Sequence, residues 1–396
     1  MDKVINEEKE SIVFMLEKYL KKRYEALSNL KSETYDEFFY RDINSLSSCK
    51  VNELVLDTLV QYRRDFPLET FLKDYDFKLT IRRIEKRDKI YKLVVREEFR
   101  YRYNSLSVDT KGIIEHYIKL INFNGDFKIL SHSSRDPFIR KIQNTYYYAL
   151  NKPYNIEEVR EVLLYKCKME RDIIIDNLVD FNSDVQSNEF MVNHRERTRD
   201  LENINYSQYK NSISPIYRDM RDLYFLNYNR DNAVNYARKW ALGRNPAYLD
   251  FEDLGGDCTN FVSQCVHAGG IPMDIERPHV WKYYGSQWNE SSSRVGRSSS
   301  WTAVIYFRNY AKNNIKGSGL RAEVGADLKT LLPGDIIQIE DFHGTVILEN
   351  VYRNGNLVDF LIACHTSDRL NERLLLEWPN SSYSKTGIKI KGAYSY

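Results

Sequence analysis

A cysteine attacks a carbonyl only as its thiolate, and one segment of this 396-residue chain is built to favour that form. Gly255-Gly256-Asp257-Cys258-Thr259-Asn260-Phe261-Val262-Ser263-Gln264-Cys265 passes from a glycine turn into a helical pattern that closes at Gly269-Gly270. The spacing predicts a helix with Cys258 in its first turn. Unpaired N–H groups and the positive end of the helix dipole stabilise a negative sulfur there. A thiol pKa near ~8.5 can fall by one to several units at such a position. Cys265, two turns on beside Val262 and Val266, reads as core packing. A lone helical cysteine would read the same way. The glycine pair and Asp257 set Cys258 apart, and a base elsewhere must decide.

Of the seven histidines, His343 stands out. Pro333-Gly334-Asp335 marks a turn, Ile336 to Ile339 reads as a strand, and His343 opens a second strand after the short loop Glu340-Asp341-Phe342. Asn354-Gly355 is a strong hairpin turn signal. The third strand, Leu357 to Cys364, ends at His365-Thr366-Ser367-Asp368. Antiparallel pairing therefore places His343 and His365 near one edge of the sheet. A thiol nucleophile needs an imidazole to take its proton and a third polar group to fix that imidazole. Cys258, His343 and His365 supply these parts in order.

These residues carry a resemblance. Gly-Asp257-Cys258-Thr259-Asn260-Phe261-Val262, a later strand-initial His343 and His365 one strand on are similar to the papain-like cysteine hydrolases of the NlpC/P60 and CHAP type. More narrowly, residues 226 to 396 resemble the bacterial domain family termed "putative amidase", through NYNRDNAVNYARKWA, NPAY, GGDCTNFVSQC, AGGIPM, SSSW and HTSD. The resemblance implies an α+β fold with the nucleophile helix packed on an antiparallel sheet. It also implies Cys258 as nucleophile, His343 as base and His365 as the group that orients it. Relatives use Asn, Asp or Glu in the third role, so Asp368 is an alternative, with Asp257 a further candidate for orientation. The chemistry implied is hydrolysis of an amide bond, typically in cell-wall peptides, without a cofactor.

Other readings use the same residues. Cys258, His343, His365 and Asp368 offer zinc-binding atoms, but no Cys-x-x-Cys or His-x-x-x-His spacing accompanies them, so no metal is expected. Acyl transfer to an amine would use the same triad. A non-catalytic module that binds glycan or peptide would use the aromatic residues: all five tryptophans lie beyond residue 226, and Trp281 and Trp301 fall in serine- and glycine-rich stretches where they can stack on substrate or anchor loops.

Composition bounds the rest. Hydrophobic residues at 42%, charged residues at 29% and a net charge of +2 describe a globular chain with no call for nucleic acid, and no apolar run approaches a membrane span. Five scattered cysteines show no disulfide framework. No secretory signal is evident, so the chain reads as cytoplasmic unless a leader has been removed. Only Gly112 and Gly125 of the 17 glycines precede residue 226, which marks a change from a turn-poor to a loop-rich region. Residues 1–135 read as a helix (7–31) followed by antiparallel strands at 77–83, 89–104, 113–123 and 126–130, an α+β module of the cystatin or NTF2-like kind. No catalytic constellation is expected around its His116 and His132. Residues 136–225 read as helical, broken at Pro153, then polar; residues 226–396 form the papain-like amidase domain.

Overall fold

The computed structural model describes residues 2–66, 70–123, 125–165, 223–377 and 384–396. Cys167 and most of the polar stretch expected before the amidase region lie outside them. The fold is mixed α+β, built on a large antiparallel sheet.

Helix α1 (Asp2–Asn29) buries Ile12, Leu16, Tyr19, Leu20, Tyr24 and Leu27, an apolar stripe at intervals of three and four. A second helix, α2 (Ile43–Arg64), follows. Its N-cap Asp42 accepts the Ser45 N–H at 2.8 Å. The apolar period did not announce α2, because its buried face also carries Ser45, Ser48, Asn52 and Thr58. These polar groups are satisfied internally: Thr58 Oγ1, for example, bonds Leu54 O at 2.7 Å and meets Tyr146 OH at 2.6 Å.

Four strands come next, β1 (Leu72–Arg87), β2 (Ile90–Tyr103), β3 (Thr110–Phe123) and β4 (Asp126–Ser134). Period-two burial turns Tyr91, Leu93, Val95, Glu97, Phe99, Tyr101 and Tyr103 of β2 to the helices. Helix α3 (Pro137–Leu150) starts with Pro137 at its first position and Asp136 as N-cap. A further helix, α4, covers 156–165.

The later part adds β5 (Tyr224–Asn227), α5 (Arg230–Trp240), α6 (Cys258–Ala268), a two-stranded ribbon of β6 (Tyr283–Tyr284) and β7 (Gly296–Arg297), and α7 (Val304–Asn313). Then come β8 (Gly319–Ala326), β9 (Ile336–Ile339), β10 (His343–Arg353), β11 (Asn356–Cys364), β12 (Arg369–Arg373) and β13 (Lys385–Ser395). Asn354 and Gly355 both take positive φ, 52° and 84°, as a two-residue hairpin turn demands. Every residue of α6 from Cys258 to Val266 is buried. It packs against Ile336, Val346 and Ala363 on one face of the sheet, while Ile337, Ile347, Ile362 and Cys364 form a separate core on the other face.

One sheet runs through both parts, in the order β1-β2-β3-β12-β11-β10-β9-β13-β5, with β4 also on β3 and β8 also on β13. Strands on both sides of the boundaries expected at residues 135 and 225 thus belong to one sheet. The joint is β3 against β12, Arg369 opposite Gly112 and Leu370 opposite Lys111. Arg369 lies 5.2 Å from the Phe99 ring centroid, bonds Asp136 at 2.5 Å and Ile113 O at 3.0 Å, and pairs with Glu372 at 2.8 Å. Among the described residues, no helix is long and apolar enough to cross a membrane.

A side chain at position 112 has no room at this joint, since a Cβ there would stand 2.4 Å from Phe99 Cζ and 2.9 Å from Arg369 Cδ. Gly112→Val is expected to cost about 1–3 kcal/mol by overpacking. It should lower the urea midpoint without changing the slope; a midpoint equal to that of the parent would show that the joint is loosely packed.

Candidate active site

Gly255 and Gly256, at φ 118° and 117°, turn the chain into α6 through a conformation that a side chain opposes. The turn places Cys258 at the first helical position, 5% exposed. Its sulfur lies 3.8 Å from the Phe342 carbonyl, 3.9 Å from Thr259 Oγ1 and within hydrogen-bond reach of the Gly344 N–H. Phe342 and Gly344 flank His343, so the sulfur sits against the strand at the histidine's own backbone.

The side chains follow the sheet's alternation. On β10, Gly344 faces α6, with its Cβ position 3.3 Å from Val262, and Val346 joins the core under that helix. Ile347 belongs to the opposite core, and His343 shares its parity. On β11, Ala363 faces α6. His365, just beyond the strand, stacks on Phe261 at 4.0 Å between ring centroids.

His365 is bound on both sides of its ring. Nε2 donates to Trp240 O at 2.8 Å, and Nδ1 meets Asp257 Oδ2 at 2.5 Å. Both ring nitrogens are thus engaged away from His343, and the expected orienting bond from one histidine to the other is replaced by the His365–Asp257 contact. Asp257 is buried and also accepts from Phe251 N at 3.0 Å and Asn260 Nδ2 at 2.9 Å, while its own N–H donates to Thr366 Oγ1 at 2.7 Å. Asp368 is held apart in a two-bond pair with Arg244, at 2.8 and 3.0 Å. Arg244 also lies 3.1 Å from Asp250 and 3.5 Å from Asp257. Sequence reading passed over Arg244, although it directly precedes the quoted NPAY motif.

Trp281 and Trp301 are not loop platforms. Both are wholly buried. Trp281 Nε1 donates to Ser263 Oγ at 3.0 Å and Trp301 Nε1 to Asn260 Oδ1 at 2.9 Å, so the two indoles lock α6 in place instead of facing a substrate.

A second cluster, in the earlier part, also went unread. Glu97 takes two bonds from Arg23, both 2.8 Å, and one from Tyr24 OH at 2.7 Å. It meets His116 Nε2 at 2.9 Å; His116 Nδ1 meets His132 Nε2 at 2.9 Å, and His132 Nδ1 meets Tyr19 OH at 2.8 Å. Burial pushes Glu97 up, but Arg23, His116 and Tyr24 outweigh it and hold it below the usual carboxylate range. Burial, then His116 and Arg23, push His132 well down. The chain distances between these residues hid a network that only the sheet assembles. Among the described residues, the one group whose ligand atoms lie close enough to hold a metal ion is Asp36, Cys49 and Glu53, which shares no residue with the set Cys258, His343, His365 and Asp368.

The electrostatics of the site correct another expectation. Burial raises the Cys258 thiol above its ordinary value, Asp257 adds to the rise, and hydrogen bonds from Gly344 and Thr259 only partly oppose it. The helix start therefore does not make a resting thiolate. Burial, followed by the positive charge of Arg369, holds His343 down at about 3.

Two outcomes follow. The unfolded chain protonates residue 343 near pH ~6.5, whereas the folded chain resists until about 3, so this group's stability is complete above ~6.5 and drains away as pH falls toward 3. Between about pH 7 and about pH 4, the urea midpoint of the parent should drop more steeply than that of His343→Gln; parallel curves would mean the ring is not buried neutral. Alkylation of Cys258 by iodoacetamide should titrate on the alkaline side of a free thiol's ~8.5, and a midpoint below about 7 would reveal a resting thiolate instead.

The chain is 44% identical to the uncharacterized protein YhbB of Bacillus subtilis over 117 residues, 30% of this chain and 33% of that one. It is 24% identical to the uncharacterized protein YjcM of the same organism over 226 residues, 50% of this chain and 46% of that one. The matches thus span less than half the length of either relative. No solved structure matches significantly, so neither a papain-like nor an NTF2-like assignment gains a structural neighbour. Residues 227–388 match the family described as "Putative amidase domain", and the C-terminal part of this chain is amidase-like.

Proposed function

We propose that residues 226–396 form a cysteine amidohydrolase acting on peptide-like amides, with cell-wall peptides as the substrate class. The observation that carries this reading is the position of the Cys258 sulfur, at the start of α6 and 3.8 Å from the carbonyl that precedes His343. A helix start pressed on the edge of a histidine-bearing strand is what thiol acyl transfer needs. The family match supports amide hydrolysis independently.

The resting site holds a neutral thiol and a neutral imidazole, so the proton moves during attack. His343 takes the Cys258 proton as sulfur bonds to the amide carbon. The tetrahedral oxyanion is met by first-turn N–H groups of α6, that of Cys258 foremost, which lack intrahelical acceptors. The amine leaves with the proton from His343. Water, deprotonated by the same ring, then breaks the thioester and restores the thiol. Since His343 shares the parity of the opposite core, its ring must turn round the strand edge to serve Cys258.

A second reading has its own support. His365 with Asp257 on its Nδ1 is the imidazole–carboxylate half of a triad, one residue from Cys258. In this version His365 is the base, and its Nε2 leaves Trp240 O to reach the thiol.

Hydrolysis of purified peptidoglycan fragments, followed by mass analysis, tests both. Cys258→Ala should abolish cleavage with the thermal midpoint preserved; a variant that still cleaves refutes the thiol mechanism. Loss of about 10²–10⁴ in rate in His343→Ala, with a smaller loss in His365→Ala, supports the first reading, and the reverse order supports the second.

A further inference from the structure

We propose that helix α3, in the earlier part of the chain, supplies one wall of the substrate site and selects peptides bearing carboxylate groups. The proposal rests on the amidohydrolase reading only in naming the occupant a substrate. A groove of about 690 Å³ opens between α3 and the turn that follows β11. Arg135, Arg140 and Lys141 line one side, Thr366 and Ser367 the other, and Tyr148, 60% exposed, stands on α3. Three cations and no carboxylate line it.

The cations differ in what already holds them. Arg135 is tied to Glu115 at 2.9 Å and Glu252 at 3.4 Å. Arg140 is exposed and, among the described residues, forms no ion pair, so its charge is available to a ligand. A guanidinium with this freedom matches a carboxylate through two parallel hydrogen bonds.

The opposite wall connects directly to the proposed chemistry. Thr366 Oγ1 accepts the N–H of Asp257, the residue before Cys258, and Thr366 directly follows His365. Thr366 and Ser367 both take positive φ, 61° and 73°, a costly pair of conformations for residues with side chains. Such strain persists only where surrounding structure enforces it, and it is concentrated at working sites. The groove thus has one wall from each part of the chain. The β3–β12 pairing, through Arg369 and its bond to the α3 N-cap Asp136, sets the spacing between them. This gives the earlier part of the chain a role in specificity.

The test uses the full-length Cys258→Ala protein, which keeps a peptide intact, with fluorescein-labelled tetraglutamate and tetraglutamine as probes and anisotropy as readout. Tetraglutamate should bind more tightly, and binding should weaken as salt is added. Arg140→Glu should weaken it about tenfold, Arg140→Lys much less, and neither change should affect tetraglutamine. In the protein with Cys258 intact, tetraglutamate should slow alkylation of that thiol, and Arg140→Glu should remove the protection. Equal affinity for the two peptides, or no loss in Arg140→Glu, overturns the proposal. Bound tetraglutamate that leaves Cys258 fully reactive overturns the assignment of the groove to the substrate site. Failure of peptidoglycan cleavage with these binding results intact would count against the amidohydrolase reading alone, since anisotropy does not depend on turnover.

Discussion

The buried carboxylate of Asp257 is the point on which the later half of the molecule is assembled. It collects the N–H of Phe251, the amide of Asn260 and the ring of His365, with Arg244 at 3.5 Å. These come from the loop before α6, from α6 itself, from the end of β11 and from the segment after α5. A buried carboxylate is tolerated only when its lone pairs are filled. The same four partners that satisfy it therefore hold the start of α6 at a set distance from the strand ends. The position of Cys258 against β10 is a consequence. Asp257 makes no side-chain capping bond to the α6 backbone; its carboxylate is taken up by Phe251, Asn260 and His365.

A comparable constraint joins the two halves. Arg369 is buried, and removing one partner of a buried, hydrogen-bonded ion pair typically costs about 3–5 kcal/mol. It touches Phe99 and Asp136 in the earlier part of the chain and Glu372 on its own strand, and it lies three residues after Thr366. Its charge also reaches His343 and helps to keep that ring neutral. The earlier part of the chain is therefore bound to the later one electrostatically by Arg369 at the sheet joint, with the Arg135–Glu252 pair beside it.

The resting state that results is a neutral one. Burial dominates both the thiol and the imidazole, and dipole and hydrogen-bond effects at the helix start do not overcome it. A thiol buried in this way stays protonated until its surroundings change. For the proposed mechanism that is a physical route to selectivity, because a protonated thiol does not react with whatever passes.

Much of this was legible in the order of residues. The glycine turn, Cys258 at a helix start, the hairpin with His343 and His365 at its ends, and the four strands of the earlier module all follow from local rules of turn chemistry and period. Such rules act between near neighbours. Helix α2 escaped because tertiary partners let its buried face carry serine, asparagine and threonine, which erased the period. Local sequence leaves Trp281 and Trp301 equally suited to stacking on substrate and to anchoring loops; only Ser263 and Asn260 on α6, which receive the indole N–H groups, decide for anchoring. The pairing of His365 with Asp257, the Glu97–His116–His132 network and the single sheet through both halves depend on contacts between residues far apart in the chain. The sequence by itself determined which residues could do chemistry and which local element carries each. Only the tertiary structure decided their partners, their burial and hence their charge, because desolvation and hydrogen bonding are properties of the packed surroundings and of no segment alone.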